Sequence, residues 1–153
     1  MIADFFKDFL KNKIFFSAII AWLITQTIKV LVGVVNERRF NFKWFVGTGG
    51  MPSSHAAGVS ALATSVGMYS GFGSPLFALA VLFALITMFD AQGVRRASGI
   101  QAEILNKIVD ELYKKGKIKP DRLKELLGHI PLEVIIGSIL GIFIAVVLFN
   151  LGG

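Results

Sequence analysis

The sequence predicts an all-α fold, a polytopic membrane helical bundle of about four spans with an amphipathic cytoplasmic helical insertion. The 153 residues are 54% hydrophobic, and the mean hydropathy of +0.69 is too high for an ordinary soluble domain. Apolar stretches of span length alternate with more polar segments, and the basic residues cluster in these segments. The chain contains no cysteine, which excludes disulfide and thiol chemistry. We therefore expect a single integral membrane domain over residues 1–153.

Two helices are predicted before the first loop. Residues 2–12 mix Phe and Leu with Asp and Lys at helical spacing, as in a short interfacial helix, and they lack the pattern of a cleaved signal peptide. The first span follows at 14–35, and the loop at 36–50 interleaves basic and aromatic residues as a segment at the lipid headgroups does. Four residues in the second half of the span are too polar to face lipid: Thr25, Gln26, Thr27 and Lys29.

The second span begins at Pro52 and ends near Tyr69. It is rich in Ala, Gly and Ser, which let helices approach closely in a bilayer, so we expect it at the centre of the bundle. Residues 71–75 form a predicted tight turn that leads into the third span, at 76–89.

A polar excursion at 97–128 separates the third span from the last. It is predicted to hold one helix with a single apolar face, which ends at Gly116, and a short second helix from 120 to 128. The last span covers 130–151. Its Gly137 and Gly141 form a small-xxx-small face, which we interpret as packing within the chain, with a homodimer seam as the alternative.

The net charge of +6 is concentrated in the loops. Four spans place the 36–50 loop and the excursion on one side, and the positive-inside rule assigns that side to the cytoplasmic face of the cell (inner) membrane. Such clustering indicates topology and anionic lipid headgroups rather than nucleic acid. The basic residues on this side are Arg38, Arg39, Lys43, Arg95, Arg96, Lys107, Lys114, Lys115, Lys117, Lys119, Arg122 and Lys124, against Lys7, Lys11 and Lys13 on the other.

The only two histidines both stand where an apolar helix is expected to start beside a polar loop. His129 precedes Glu133 by four residues, so on a helix the carboxylate can hold the imidazole in one tautomer. This pattern is typical of an oriented nucleophile or general base. Alternatively, Glu133 only stabilises its helix N-terminus. His55 follows Ser53 and Ser54, and the matching contexts indicate one functional pair of histidines.

The residues expected on the cytoplasmic face describe a phosphate site, because cations and hydroxyls collect there beside a helix N-terminus. A histidine can attack phosphorus while a second protonates the leaving alkoxide, and this scheme needs no metal or other cofactor. Each of these cations also has an alternative role. Lys29 could snorkel to the headgroups, and Arg95 and Arg96 could mark a cytoplasmic boundary. Asp90 could pair with Arg95 or Lys29, or ligate a cation. The candidate phosphate-binding residues are Lys29, Arg38, Arg39, Ser53, Ser54, Arg95 and Arg96.

Two motifs resemble those of the type 2 phosphatidic acid phosphatase superfamily, which includes vanadium haloperoxidases. Residues 52–55, Pro-Ser-Ser-His, resemble its Pro-Ser-Gly-His motif, and His-x-x-x-Glu-Val-x-x-Gly at 129–137 resembles its His-x-x-x-Asp-Val-x-x-Gly. With Gly-Gly at 49–50 and Asp-x-x-Gly-Val-Arg-Arg at 90–96, the set is similar to a small, divergent branch of that superfamily and covers nearly the whole chain.

The resemblance implies a catalytic role for three residues: His129 as nucleophile, Glu133 as its orienting carboxylate and His55 as general acid. Lys29 matches the lysine of the superfamily's first motif. Asn36 stands where that motif has an arginine, and Leu123 stands where the third motif has one. Arg38 or Arg39, and Arg95 or Arg96, are the nearby replacements.

Two functions of different class remain. The first is a membrane phosphatase that hydrolyses a lipid phosphate monoester or pyrophosphate, such as phosphatidylglycerol phosphate or phosphatidic acid, through a phosphohistidine. The second is a catalytically inactive membrane protein of the same fold that binds anionic lipid or a partner protein, and the motif departures motivate it. A small transporter has little support, because the sequence shows no paired broken helices or inverted repeat.

Overall fold

The computed structural model describes residues 2–38, 50–114 and 130–151, with the backbone alone at 2–3, 5, 36–37, 94–98 and 111–114. These residues form helices and connecting turns, with no strand among them. The predicted all-α membrane bundle is therefore confirmed. In chain order the helices are α1 (Ile2–Leu10), α2 (Lys13–Glu37), α3 (Ser54–Ser70), α4 (Pro75–Gln92), α5 (Val94–Lys114) and α6 (Pro131–Leu151).

Three of the described helices are long and apolar enough to cross a membrane: α2 over Lys13–Val35, α4 and α6. The fourth predicted span corresponds to α3, which has 17 residues. At a rise of 1.5 Å per residue it is about 26 Å long, slightly shorter than the hydrocarbon core of a bilayer. The crossing by α3, and with it the count of four spans, stays a prediction.

Side-chain caps set the starts of the helices. The Asn12 side chain accepts a hydrogen bond from the Phe15 N–H (3.0 Å), which begins α2 directly after α1. The Phe9 ring lies 5.0 Å from that of Phe15, so the two helices remain in contact at the junction. The predicted turn at 71–75 is confirmed, with Gly71 at φ +88° and the Ser74 side chain capping α4 through the Phe77 N–H (3.2 Å).

The centre of the bundle is α3, as its small residues predict. It packs against α2, α4 and α6, whereas α4 and α6 touch each other at only a few residues. A Cβ at Gly137 would overlap the Ser53 carbonyl, and a Cβ at Gly141 would overlap that of Ala57. The small-xxx-small face of α6 is thus used for packing within the chain, as predicted.

Polar side chains on α2 follow the helical period. Thr25, Gln26 and Lys29 are buried, as predicted for residues too polar for lipid. The same prediction was wrong for Thr27, which is exposed. Its hydroxyl donates to the Leu23 carbonyl (2.9 Å). Because this bond within α2 satisfies the hydroxyl, Thr27 needs no contact with another helix.

The predicted polar excursion begins with α5, which starts one residue after Gly93 at the end of α4. Four residues of its predicted apolar face are exposed: Ile100, Ile104, Leu105 and Ile108. The predicted stop at Gly116, the short helix at 120–128 and most of the 36–50 loop lie outside the described residues.

Candidate functional site

The beginnings of α3 and α6 meet at one end of the bundle, beside the final turns of α2. The Ser53 N–H donates to the backbone carbonyl of Glu133 (3.0 Å) and ties the two helix starts together. Gly137, one helical turn further along α6, allows this approach because any side chain would overlap the Ser53 backbone. The two motifs that carry the predicted chemistry are thus neighbours in space, although Ser53 and Glu133 are 80 positions apart in the sequence.

Lys29 supplies a buried cation to this end of the bundle. Its side chain is 7% exposed, and its charge is attracted to that of Glu133. Gly50 lies over its aliphatic stem, since a Cβ at Gly50 would stand 3.3 Å from the Lys29 Cδ, and the φ of +88° also favours glycine there. Gly50 thus allows the backbone to approach Lys29 closely.

The start of α3 presents two serines and a histidine. Ser53 is fully buried, and its Oγ accepts a hydrogen bond from the Ala56 N–H (3.4 Å) as the helix N-cap. Ser54 is buried beside it, while His55 is half-buried on the first turn with its Nδ1 atom shielded from solvent. Because α3 starts here, the positive end of its dipole lies at this site.

Glu133 lies in the first turn of α6 with its carboxylate turned back toward the preceding chain. Its Oε2 accepts a hydrogen bond from the Ile130 N–H (3.2 Å), so the carboxylate does stabilise the helix start. Ile130 directly follows His129, and the carboxylate is therefore directed toward the segment that carries this histidine. His129 itself lies outside the described residues, before the first residue of α6, and its pairing with Glu133 stays a prediction.

Other predicted site residues are placed less closely or not at all. Arg38 is exposed at the end of α2, with a left-handed φ of 51°. Asp90 is half-buried near the end of α4. Arg95 and Arg96 stand in the first turn of α5 without described side chains, and Arg39 lies outside the described residues. Among the predicted residues, the structure brings Lys29, Ser53, Ser54 and Glu133 together, with His55 one residue further along α3.

The sequence analysis did not single out Ser138. Its hydroxyl donates to the Val134 carbonyl (2.9 Å) and lies 3.0 Å from the Met88 Sδ, at one of the few contacts between α4 and α6. A serine in an otherwise apolar span was the available signal, but the position of Met88 opposite it depends on how the helices pack.

The electrostatic character of the site follows from this geometry. A buried ammonium, two helix N-termini and an imidazole favour an anion, while the Glu133 carboxylate limits the positive charge and orients its neighbours. Apolar helices surround these groups, and charge interactions are stronger in such a low-dielectric setting than in water. The arrangement can bind a phosphoryl group and stabilise the charge that develops during its transfer.

Comparison with known proteins agrees with the motifs. A sequence model of the Divergent PAP2 family matches residues 10–144. The chain is 41% identical over 152 residues to the uncharacterized membrane protein YuiD of Bacillus subtilis (strain 168), an alignment that covers 92% of this chain and 96% of that protein. No solved structure gives a significant match. The resemblance inferred from the histidine motifs is thereby confirmed, and the chain belongs to the Divergent PAP2 family.

Proposed function

We propose that this protein is an integral membrane phosphatase that hydrolyses a lipid phosphate monoester or pyrophosphate. The observation that supports this most is the meeting of the two motifs, in which the Ser53 N–H binds the Glu133 carbonyl while Lys29 lies buried within electrostatic reach of the Glu133 carboxylate. A buried cation beside a carboxylate and two helix starts is a costly arrangement that a purely structural membrane bundle does not need.

The proposed reaction has two steps. A ring nitrogen of His129 attacks phosphorus, the bond from phosphorus to the ester oxygen breaks, and His55 gives its proton to the leaving alkoxide. Water then attacks the phosphohistidine, His55 accepts the water proton, the bond between phosphorus and the His129 nitrogen breaks, and inorganic phosphate leaves. Glu133 orients the attacking imidazole and raises its basicity, and Lys29 balances charge on the phosphoryl oxygens. Further cations that could bind the phosphate are Arg38, Arg39, Arg95 and Arg96.

The proposed substrate follows from the membrane and from the charge distribution. Basic residues are concentrated on the predicted side of both histidines, which supports a site on the cytoplasmic face of the membrane. Phosphatidylglycerol phosphate and phosphatidic acid carry a phosphate monoester on that leaflet and are the substrates to test first.

Phosphate release by the purified, detergent-solubilised protein from a panel of lipid phosphates tests this proposal. Wild type should release phosphate, and His129→Ala should abolish release while the protein keeps its helical content. An Asn150→Ala variant serves as the control, because this exposed residue lies at the opposite end of α6. Full hydrolysis by His129→Ala would refute the mechanism.

The second candidate is a catalytically inactive protein of the same fold that binds anionic lipid or a partner protein. Two observations favour this candidate, because each gives a motif residue a structural role. The Glu133 carboxylate accepts a hydrogen bond from the Ile130 N–H, and Ser53 is fully buried. Tight binding of lipid phosphate without turnover, unchanged in His55→Ala, would support this candidate over the phosphatase.

A further inference from the structure

An apolar groove runs between α4 and α6 because both helices pack on α3 but hardly on each other. Two cavities of about 290 Å³ and 460 Å³ follow one another along the groove, and Leu85 and Met88 line both. The groove extends along α4 from Phe77 to Gln92 and along α6 from Val134 to Val146. Both volumes are of the size that ligand pockets have in proteins.

The walls of the groove are suited to hydrocarbon. Aliphatic, aromatic and Met side chains form its sides, and small residues of α3 such as Ser60 and Ala63 form its floor. The Ser138 hydroxyl is occupied by the Val134 carbonyl, so it offers little to a polar ligand. The outer rim carries Phe89 and Ile139, which are 72% and 62% exposed and open the groove toward lipid.

The groove begins at the end of the bundle that holds the candidate site, and two aromatic rings line its other end. Val134, at its upper end, directly follows Glu133. The rings of Phe72 and Phe77, packed edge to face with centroids 5.2 Å apart, line the lower cavity. Val134 and Val146 are about 18 Å apart along the helix axis at 1.5 Å per residue, so the groove is long and narrow.

We propose that this groove seats an acyl chain of the lipid phosphate whose headgroup occupies the site at Lys29 and Glu133. The proposal rests on the proposed function. It assigns the groove to the substrate rather than to another membrane lipid because Val134, which lines the upper end, directly follows Glu133 in the chain. The aromatic end sets a limit on chain length. The groove therefore selects lipid phosphates by the length of their chains.

Two neighbouring valines on α6 allow a matched experiment. Val146 lines the lower cavity, whereas Val147 lines neither cavity, and both are 37% exposed. A Val146→Trp substitution fills the lower part of the groove, and Val147→Trp adds the same bulk outside it. The purified full chain is assayed on phosphatidic acids with two eight-carbon or two sixteen-carbon chains.

For Val146→Trp we expect the KM for the sixteen-carbon substrate to rise by about fivefold or more, because the end of the chain loses its packing contacts. The KM for the eight-carbon substrate should stay within about twofold, as should both values for Val147→Trp. An equal effect of Val146→Trp on both chain lengths, or no effect on either, would overturn the groove proposal.

Photo-crosslinking separates failure of the groove from failure of the phosphatase proposal. Wild type that hydrolyses no lipid phosphate refutes the phosphatase, and the groove is then tested with a phosphatidic acid that carries a diazirine at the end of its sixteen-carbon chain. Labelling concentrated at Phe77 and Val146 supports the groove. Labelling spread evenly over the lipid-facing side chains of α4 and α6 refutes it.

Discussion

At the scale of single residues, Lys29 was predicted to be too polar to face lipid, and the structure buries it inside the bundle. A buried ammonium in an apolar helix is costly unless a partner offsets its desolvation, and Glu133 supplies opposite charge. The burial of the side chain under Gly50 favours a role for Lys29 within the bundle over the alternative in which it snorkels to the headgroups.

The Lys29→Met variant tests whether this cation acts in catalysis. We expect hydrolysis to fall by about 10²-fold, the usual loss when one group that stabilises transition-state charge is removed. The thermal unfolding midpoint should change little, because the methionine fills a similar volume. Lys107→Met is the control, since Lys107 is exposed and forms a surface ion pair with Glu103 (2.7 Å). Equal activity of both variants would remove Lys29 from the mechanism.

Residue-level predictions succeeded where the helical period decides the outcome. Thr25, Gln26 and Lys29 lie at positions i, i+1 and i+4 and share one face, so their burial follows from their spacing. Thr27 departs from that face, and its hydroxyl found a partner in its own helix. The burial of Ser53 could not be predicted, because it depends on the close approach of α6 to the start of α3.

At the scale of helices, the packing of α6 on α3 positions the site. Gly137 and Gly141 let the α6 backbone touch that of α3 at Ser53 and Ala57, and this contact holds the Ser53 N–H on the Glu133 carbonyl. Sequence identified the small-residue face and the central helix, since both depend only on composition and spacing. The α4–α6 groove could not be predicted, because it depends on how α4 and α6 pack around α3.

Substitution at Gly137 tests this packing. Gly137→Ala should reduce the free energy of unfolding by about 1–3 kcal/mol, because the added Cβ overlaps the Ser53 carbonyl and forces the helices apart. Gly73→Ala is the control, since Gly73 lies in open space within the α3–α4 turn, and its effect should stay within about 0.5 kcal/mol. Thermal unfolding in detergent measures both, and equal midpoints would contradict the packing described here.

At the scale of the whole molecule, the bundle is polarised along its length. One end holds Lys29, His55 and Glu133, while the other holds a Ser17–Ser65 hydrogen bond (2.9 Å) and an edge-to-face pair of aromatic rings, Tyr69 and Phe149. The alternation of spans and loops predicted this arrangement, since α2 and α4 end where α3 and α6 begin. His129 and Arg39 lie outside the described residues, so their predicted positions at this end stay predictions.

Cysteine labelling tests the predicted orientation without background, because the chain contains no cysteine. Gly73→Cys, in the α3–α4 turn, should react with a membrane-impermeant maleimide in intact cells. Gln101→Cys, exposed on α5, should react only after the membrane is permeabilised. The reverse pattern would place the site on the outer face of the membrane and would refute the assignment drawn from the basic loops.

The central claim is a covalent phosphoryl transfer at His129, and trapping the intermediate tests it most directly. Purified wild type is mixed with lipid phosphate radiolabelled at the phosphate, quenched within milliseconds and digested to peptides. We predict an acid-labile, base-stable label on the peptide that carries His129, absent in His129→Ala and present in the Asn150→Ala control. Phosphate release without a labelled peptide, retained in His129→Ala, would contradict the account.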